Sequence, residues 1–454
     1  MAQKTTIRDH IEDYIEQNGM NINRFANISG VNSGTLSRIL SQKQPISMGQ
    51  LERITSGLNL PTDHFYEMYI EECFFNGTPT WRRLRPFLFR CADTDRLDCI
   101  ERVITTLLDN LAYTPMLFET AEELFHQGKK AAAAILYKHV STSEKYQHSE
   151  RLAICQYKLF LISIGNDQDA NLRAATLFEG YVERLDPSYQ LDAYRHLAHV
   201  YGSLHRWDKV DLMAQEMHRI GTLLYKQKSF LQQQEENSIL EKPLYYYILY
   251  SYLVRSTVCE HNRDYKGMKY YINRYSNGDW ILEDTPEARS TITQFQEWAI
   301  ANSLLCQLMS GEYDSLPEYV EYVSAQNDDV FTLRAIFYIL EAANHHNWNV
   351  DKYLDQFSLF VSYEKFKEMF GKYNEQIHAD EYARYLSEMA VYHLSRGKTE
   401  GIKILLQSLE FSIEINNKRN IIKSVALFEQ YRDKADETDI IQYQELIREV
   451  RNIQ

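Results

Sequence analysis

The residues best suited to chemistry form a short polar run near the N-terminus of the chain. Small hydrogen-bonding side chains occupy the first turn of a helix predicted at 32–41, while Leu36, Ile39 and Leu40 are spaced to lie on its buried side. Side chains of this kind can bond the edges of base pairs in the major groove of DNA, and a nearby lysine suits a phosphate. The candidates are Asn32, Ser33, Gly34, Thr35, Ser37 and Arg38, with Lys43 in the following loop for a phosphate.

Five short helices are predicted to position this run. Ile7, Ile11 and Ile15 recur every four residues and indicate an amphipathic helix that ends at Asn18-Gly19. Asn21 or Asn23 can begin the second helix, which ends at Ser29-Gly30, and Asn32 begins the third. The capping-box sequence Ser47-Met48-Gly49-Gln50 begins the fourth helix, Pro61 ends it, and Asp63-His64-Phe65 begins the fifth. Two short helices joined by a tight glycine turn form a helix-turn-helix pattern.

The segment RFANISGVNSGTLSRILSQKQPISMGQLERITSGLNL resembles the five-helix, lambda-repressor-like DNA-binding domain of the Xre, phage-repressor and Cro family. The likeness covers most of residues 5–66. It implies a helix-turn-helix DNA-binding domain over residues 1–66, whose recognition helix enters the major groove with its N-terminus first. One alternative stays open: Asn32 could be only a helix cap, and Ser33-Gly34 only the start of a helix.

Residues 67–112 are predicted to form linker helices. Their basic residues accompany almost as many acidic ones: Arg82, Arg83, Arg85, Arg90, Arg96 and Arg102 against Asp93, Asp95, Asp98 and Glu101. Beside a DNA-binding domain such a run could contact flanking phosphates. It could equally form intramolecular ion pairs on a solvated helix face, and the sequence favours neither interpretation.

Residues 113–454 contain degenerate repeats. The clearest unit, LDAYRHLAHVYGSLHRWDKVDLMAQEM at 191–217, resembles the tetratricopeptide (TPR) pattern, in which small and large residues interlock two antiparallel helices. Similar turns recur at positions 128, 165, 205, 263, 311, 346 and 397, and a long irregular helix is expected at 222–240. The expected fold is all-α: the five-helix domain, then a right-handed TPR-like α-solenoid that binds peptide and dimerises.

A solenoid of this kind has a concave groove for an extended peptide or a partner helix. In TPR units the first helix of each pair lines that groove. Transfer of its positions along the repeats gives Asp192, Arg195, His199, Tyr250, Leu253, Thr257, Glu260, Trp298, Asn302, Asn344, Arg384 and Ser387. Arg195 and His199 would suit a carboxylate on the peptide. Each position could instead hold an ordinary surface or packing residue.

Composition and charge limit the classes of protein. The net charge is −14, but residues 1–65 are neutral, so an acidic body would repel DNA and leave contact to the N-terminal segment. Only 17 Gly and 9 Pro occur in 454 residues, which favours long helices. With no long apolar run, no signal-peptide core and six scattered cysteines, the chain is predicted to be cytoplasmic, without membrane contact and with reduced thiols.

No catalytic or metal-binding motif stands out in the sequence. Phosphate-binding glycine loops, nucleophile motifs and metal-spaced Cys/His clusters are absent. The pair His345-His346 falls in a predicted turn and lacks further ligands for a metal. We therefore expect neither enzyme activity nor a cofactor.

A helix-turn-helix domain followed by a degenerate TPR array resembles the peptide-pheromone receptors of the Rap–NprR–PlcR–PrgX group, with the Rgg regulators and arbitrium receptors as relatives. This resemblance implies a homodimeric transcription regulator of the quorum-sensing type. It would bind double-stranded DNA at an inverted-repeat operator and a short signalling peptide in the TPR groove. The alternative is a Rap-like interaction scaffold that binds a folded regulator protein, with DNA binding secondary.

Overall fold

The chain is helical throughout the part that the computed structural model describes, which is residues 6–72, 80–107, 111–146, 149–165, 167–231, 240–326, 329–357 and 375–451. No β-strand occurs among these residues, so the predicted all-α class is confirmed. None of their helices is long and apolar enough to cross a lipid bilayer. Cys73 lies outside the described residues, and the other five cysteines form no disulfide.

The chain divides into two compact units, Met1–Ile164 with Thr176–Asp186, and Gly165–Ala175 with Pro187–Gln454. The first unit begins with α1 (Ile7–Gln17), α2 (Ile22–Ser29), α3 (Ser33–Leu40), α4 (Met48–Gly57) and α5 (Tyr66–Ile70). It continues with α6 (Trp81–Asp93), α7 (Leu97–Thr105), α8 (Thr114–His126), α9 (Lys130–Ser143) and α10 (Glu150–Ser163), and α11 (Gln168–Glu179) spans the boundary. One apolar core runs without a break from Ile7 to Cys155.

The ends of the first helices follow the predicted caps. Asn18 terminates α1, Gly30 ends α2, and the Ser47 and Gln50 capping box begins α4. Two bounds differ from the prediction. The helix α4 stops at Gly57, ahead of Pro61, because Asn59 already adopts a left-handed φ of 54°. The fifth helix begins only at Tyr66, since residues 62–65 form a turn.

The second unit is a succession of helices in which, from α12 to α16, each packs against the next. They are α12 (Pro187–Ser203), α13 (Trp207–Leu231), α14 (Leu244–His261), α15 (Tyr265–Tyr275), α16 (Pro286–Ser310), α17 (Leu316–Ala325), α18 (Asp329–His346), α19 (Asp351–Leu354), α20 (Glu375–Ser395), α21 (Glu400–Glu414), α22 (Lys418–Gln430) and α23 (Glu437–Val450). Apolar cores in the described part of this unit include one extending from Leu249 to Phe411 and another from Ala390 to Leu446.

The turns between these helices lie at or beside the predicted positions. Left-handed backbone, with φ between 53° and 99°, ends the preceding helix at Gly128, His205, Arg263, Gly311, Asn347 and Gly397. The pair His345-His346 does not lie in a turn between helices as expected. It lies in the last turn of α18, and the helix ends there because Asn347 adopts a left-handed φ of 56°.

The prediction of a separate long helix at 222–240 is wrong at its start. The helix α13 begins at Trp207 and passes through 222 without a break, and residues 232–239 lie outside the described part. Gly221 does not interrupt it because the missing side chain serves packing: a Cβ there would lie 3.2 Å from Ile248 on α14.

Candidate functional site

The turn between α2 and α3 presents the predicted polar run. Gly30 takes a φ of +65°, and two residues later the Asn32 side-chain oxygen accepts hydrogen bonds from the Gly34 and Thr35 amides at 3.0 and 3.3 Å. Asn32 therefore caps the helix, as the simpler interpretation of this residue required. This cap fixes the direction in which the first turn of α3 leaves the apolar core.

The two faces of α3 separate as the sequence indicated. Leu36 and Ile39 are fully buried, whereas Ser37 and Arg38 on the opposite side are exposed. Of the remaining candidates, Ser33 and Thr35 are half-buried, and Gly34 and Lys43 are exposed. The outer face of this helix thus consists of small polar side chains and one arginine.

Arg38 is held along the surface by two neighbours. Its Nε donates to Gln44 Oε1 at 3.0 Å, and its Nη2 donates to Thr35 Oγ1 at 3.3 Å. Neither partner is a carboxylate, so no ion pair offsets the charge of the guanidinium. The two hydrogen bonds fix the direction of the side chain. The Lys43 amide donates to the Arg38 carbonyl at 2.9 Å, while the Lys43 side chain forms no hydrogen bond or ion pair with a described residue.

A close approach of α2 and α4 positions this surface. A Cβ on Gly57 would lie 2.7 Å from Ser29 Cβ and 2.9 Å from Ser29 Cα, distances that real Cβ atoms essentially never show. A second tie reaches the end of α3, where Arg8 Nε donates to the Ile39 carbonyl at 2.8 Å. Arg8 also pairs with Glu72 at 2.7 Å. Both features hold α3 rigidly against the rest of its unit.

The arginines of the linker region mostly form intramolecular ion pairs. Arg85 pairs with Glu123 at 2.6 Å, Arg90 with Glu52 at 2.5 Å, and Arg96 with Asp63, Glu67 and Asp98 at 2.8 to 3.2 Å, while Arg102 pairs with Glu71. Only Arg82 and Arg83 lack a partner among the described residues. Ion pairing therefore accounts for four of the six arginines, and these pairs join α6 and α7 to the first five helices and to α8.

In the second unit, two predicted groove residues belong to an internal network. Asp192 is buried and accepts hydrogen bonds from the Glu241 amide at 3.1 Å and from the Tyr247 hydroxyl. The Arg195 side chain is only 13% exposed and pairs with Asp192 and Glu241. Both charges are already compensated, so this pair stabilises the junction of α12 and α14.

His199 is accessible and contacts the Tyr250 hydroxyl through Nε2. Desolvation by the surrounding protein, reinforced by Arg195, lowers the pKa of His199 to about 4. The imidazole is therefore neutral at pH 7. His199 would therefore meet a carboxylate as a neutral hydrogen-bond donor and not as a cation, and its place in the peptide groove stays a prediction.

Five other predicted groove residues contact groups within the protein. Burial raises the pKa of Glu260 to about 7, and this carboxyl is hydrogen-bonded to Tyr338. Asn302 Nδ2 donates to the Tyr275 hydroxyl at 2.8 Å, and Asn344 Nδ2 donates to Glu388 at 2.9 Å. Half-buried Trp298 packs on Phe295, and fully buried Ser387 bonds Ser408 and therefore lines no groove.

The structure gathers a different set of side chains around a cavity of about 280 Å³. Five helices contribute to it, namely α12, α13, α14, α18 and α20. The lining is Gly202, Ser203, His205, Trp207, Thr257, His261, Leu333, Arg334, Phe337, Tyr338, Glu381, Arg384 and Tyr385. Thr257 and Arg384 were predicted from the repeats. We refer to this space as the Arg384 cavity.

The walls of the Arg384 cavity are largely aromatic. Trp207 and His261 stack with their ring centroids 3.8 Å apart, and the Arg384 guanidinium lies 4.6 Å from the centre of the Phe337 ring. Burial, together with nearby Arg384, lowers the pKa of His261 to about 3, so this ring is neutral. Arg334 pairs with Glu381 at 3.1 Å.

The Arg384 side chain forms no hydrogen bond or ion pair with any residue of the described part. It is half-buried, and the carboxyls that influence it electrostatically, Glu260 and Glu341, form no ion pair with it. Burial raises the pKa of both these carboxyls. The cavity therefore offers one cation, Arg384, that lies against an aromatic wall and has no ion-pair partner among the described residues.

Sequence reasoning missed most of this lining although a local signal was present. Arg334, Phe337 and Tyr338 lie at i, i+3 and i+4, and the three residues that start at Glu381 repeat the same spacing on α20. Charged and aromatic side chains at that spacing share one helix face.

No model of a known protein family matches this chain, and no curated protein is significantly similar to it.

Proposed function

We propose that this protein is a sequence-specific DNA-binding transcription regulator. The observation that carries the proposal is the surface of α3, where a capped, polar first turn and an exposed arginine lie opposite the buried Leu36 and Ile39. Small hydrogen-bonding residues at a helix start can enter the major groove, and an arginine one turn later can bond a guanine in a bidentate manner. Lys43 is suited to a phosphate.

Dimerisation is part of the proposal. One five-helix domain of neutral net charge gains little from counterion release, so affinity requires two domains on one site. A two-fold dimer reads an inverted repeat with half-site centres one helical turn, about 34–36 Å, or a multiple apart. We assign the dimer contacts to the C-terminal helices beyond residue 400.

A short signalling peptide is the proposed regulator of DNA binding. Two features support this: each helix from α12 to α16 packs on the next, as in stacked TPR-like pairs, and residues of α12, α13, α14, α18 and α20 line the Arg384 cavity. A peptide that prefers one curvature of the array shifts the equilibrium by its difference in affinity between the two states. Under the alternative, a scaffold, the same unit would bind a folded protein.

The proposal is tested by selecting binding sites from a random DNA library with the full-length protein. We expect an enriched inverted repeat, and we expect Arg38→Ala to lose the preference at one base position of each half-site. Arg289→Ala is the control, because Arg289 is an exposed arginine of the second unit outside the proposed dimer contacts. Recovery of no common sequence by the wild-type protein, together with retention of a folded partner, would favour the scaffold.

A further inference from the structure

Several basic side chains lie around the Arg384 cavity although the whole chain carries −14. A second cavity of about 620 Å³ shares Ser203 and His205 with the first, and its wall holds Lys418 and Arg419 together with Asp167 and Asp169. Neither of these two basic side chains forms an ion pair with a described residue. The two cavities therefore share part of their walls, and three of their basic side chains form no ion pair with a described residue, the most enclosed being Arg384.

The surroundings of Arg384 favour an anion from outside the chain. A half-buried charge that has lost part of its hydration is stabilised by a paired counter-ion, yet the neighbouring carboxyls Glu260 and Glu341 leave it unpaired. The face of the guanidinium lies against Phe337. Its edge can still donate two parallel hydrogen bonds to a carboxylate.

The size of the cavity limits what can enter. Its volume of about 280 Å³ lies below the range of about 300–1,000 Å³ that encloses a whole drug-sized ligand. One end or one side chain of an extended ligand fits, with Trp207, Phe337 and Tyr338 available to pack on its apolar part. The rest of the ligand would continue into the second cavity, past Lys418 and Arg419.

We propose that Arg384 binds a carboxylate of a peptide ligand, with an apolar part packed against the aromatic wall and the remaining residues extending past Lys418 and Arg419. The inference rests on the proposed function of peptide binding and names the chemical group that is recognised. It moves the charged contact from Arg195 and His199 to Arg384. The carboxylate can come from the C-terminus of the peptide or from an Asp or Glu side chain.

Four pools of random hexapeptides test the proposal on the full-length protein. The C-terminus is free or amidated, and Asp and Glu are included or omitted, so one pool contains no carboxylate. Retained peptides are quantified by native mass spectrometry. We expect the carboxylate-free pool to be retained on the order of tenfold or more weakly than the best pool, as for loss of one charge-assisted hydrogen-bonded pair. Preference for a free C-terminus or for acidic side chains identifies the source.

Variants then assign the contact. Arg384→Gln should remove the preference for carboxylate-containing pools, and Arg419→Gln should weaken it less. Arg289→Gln, at an exposed residue that lines neither cavity, should leave it unchanged. Equal retention of the carboxylate-free pool by the wild-type protein overturns the inference without any variant, even if Arg384→Gln fails to fold. A preference that survives in folded Arg384→Gln overturns the assignment to Arg384. Retention of no pool at all contradicts peptide binding itself, and with it the regulatory part of the proposed function.

Discussion

Replacement of Gly57 by Ala is expected to destabilise the packing of α2 on α4. The added Cβ would lie 2.7 and 2.9 Å from Cβ and Cα of Ser29, and one of these atoms is backbone, so α2 itself has to move. Overpacking of this kind costs about 1–3 kcal/mol, whereas the better helix propensity of Ala returns at most about 1 kcal/mol. The expected net destabilisation is about 1–2 kcal/mol.

The same helix provides the control for this prediction. Gly49 lies at the start of α4, is exposed, and has no atom within 4 Å of the position that a Cβ would occupy. Gly49→Ala should therefore be neutral or stabilise the unit by up to about 1 kcal/mol. The two variants make the same chemical change on one helix and differ only in their surroundings.

Hydrogen–deuterium exchange is the suitable assay because a chain with two compact units has no single free energy of unfolding. Amides of α2 and α4 in Gly57→Ala should exchange on the order of tenfold faster than in the wild-type protein, as for a local loss of about 1.4 kcal/mol. Amides of α21 to α23 should not change. Exchange in Gly57→Ala as slow as in Gly49→Ala would refute the argued close approach.

Three further predictions follow from named contacts. Burial lowers the pKa of His261 to about 3 in the folded protein, whereas the unfolded chain takes up this proton near pH 6.5. The contribution of His261 to stability is therefore fully present above pH 6.5 and is lost as the pH falls. His261→Gln should flatten the decline in melting temperature between pH 7 and pH 5. Arg96→Ala removes ion pairs to Asp63, Glu67 and Asp98, so the amides of α5 should exchange faster, whereas Arg82→Ala should leave them unchanged. Lys43→Ala should weaken binding to all DNA sequences alike and reduce the salt dependence by about one unit of log–log slope, and a loss confined to one sequence would contradict a phosphate contact.

The helix ends were predictable because they depend on local chemistry. Asn32 and the Ser47–Gln50 box form caps with residues two or three positions away, and left-handed turns need only a residue that tolerates positive φ. These signals do not depend on tertiary contacts, so the sequence contains them in full. The start of the long helix was placed near 222 from the spacing of the repeat turns, and that spacing does not show that α13 runs unbroken from Trp207.

The groove was only partly predictable because charge compensation is a tertiary property. Arg195 looks like an anion ligand in sequence, but Glu241 and Asp192 neutralise it in the fold. Arg384 looks equivalent in sequence. In the fold its guanidinium lies against the ring of Phe337, on a distant helix, and forms no ion pair with Glu260. Which of two similar arginines meets a carboxylate is decided by contacts between residues far apart in sequence.

The most direct test of DNA recognition is the ratio of affinities of the full-length protein for its selected inverted repeat and for a scrambled sequence of the same composition, measured at physiological salt. Base-specific contacts from α3 predict a ratio on the order of 10³ or more. Arg38→Ala should reduce this ratio by a factor of about 5 to 150, as for loss of about 1–3 kcal/mol, while Arg289→Ala should not. Equal affinity of the wild-type protein for the two sequences would contradict the proposal that α3 reads DNA.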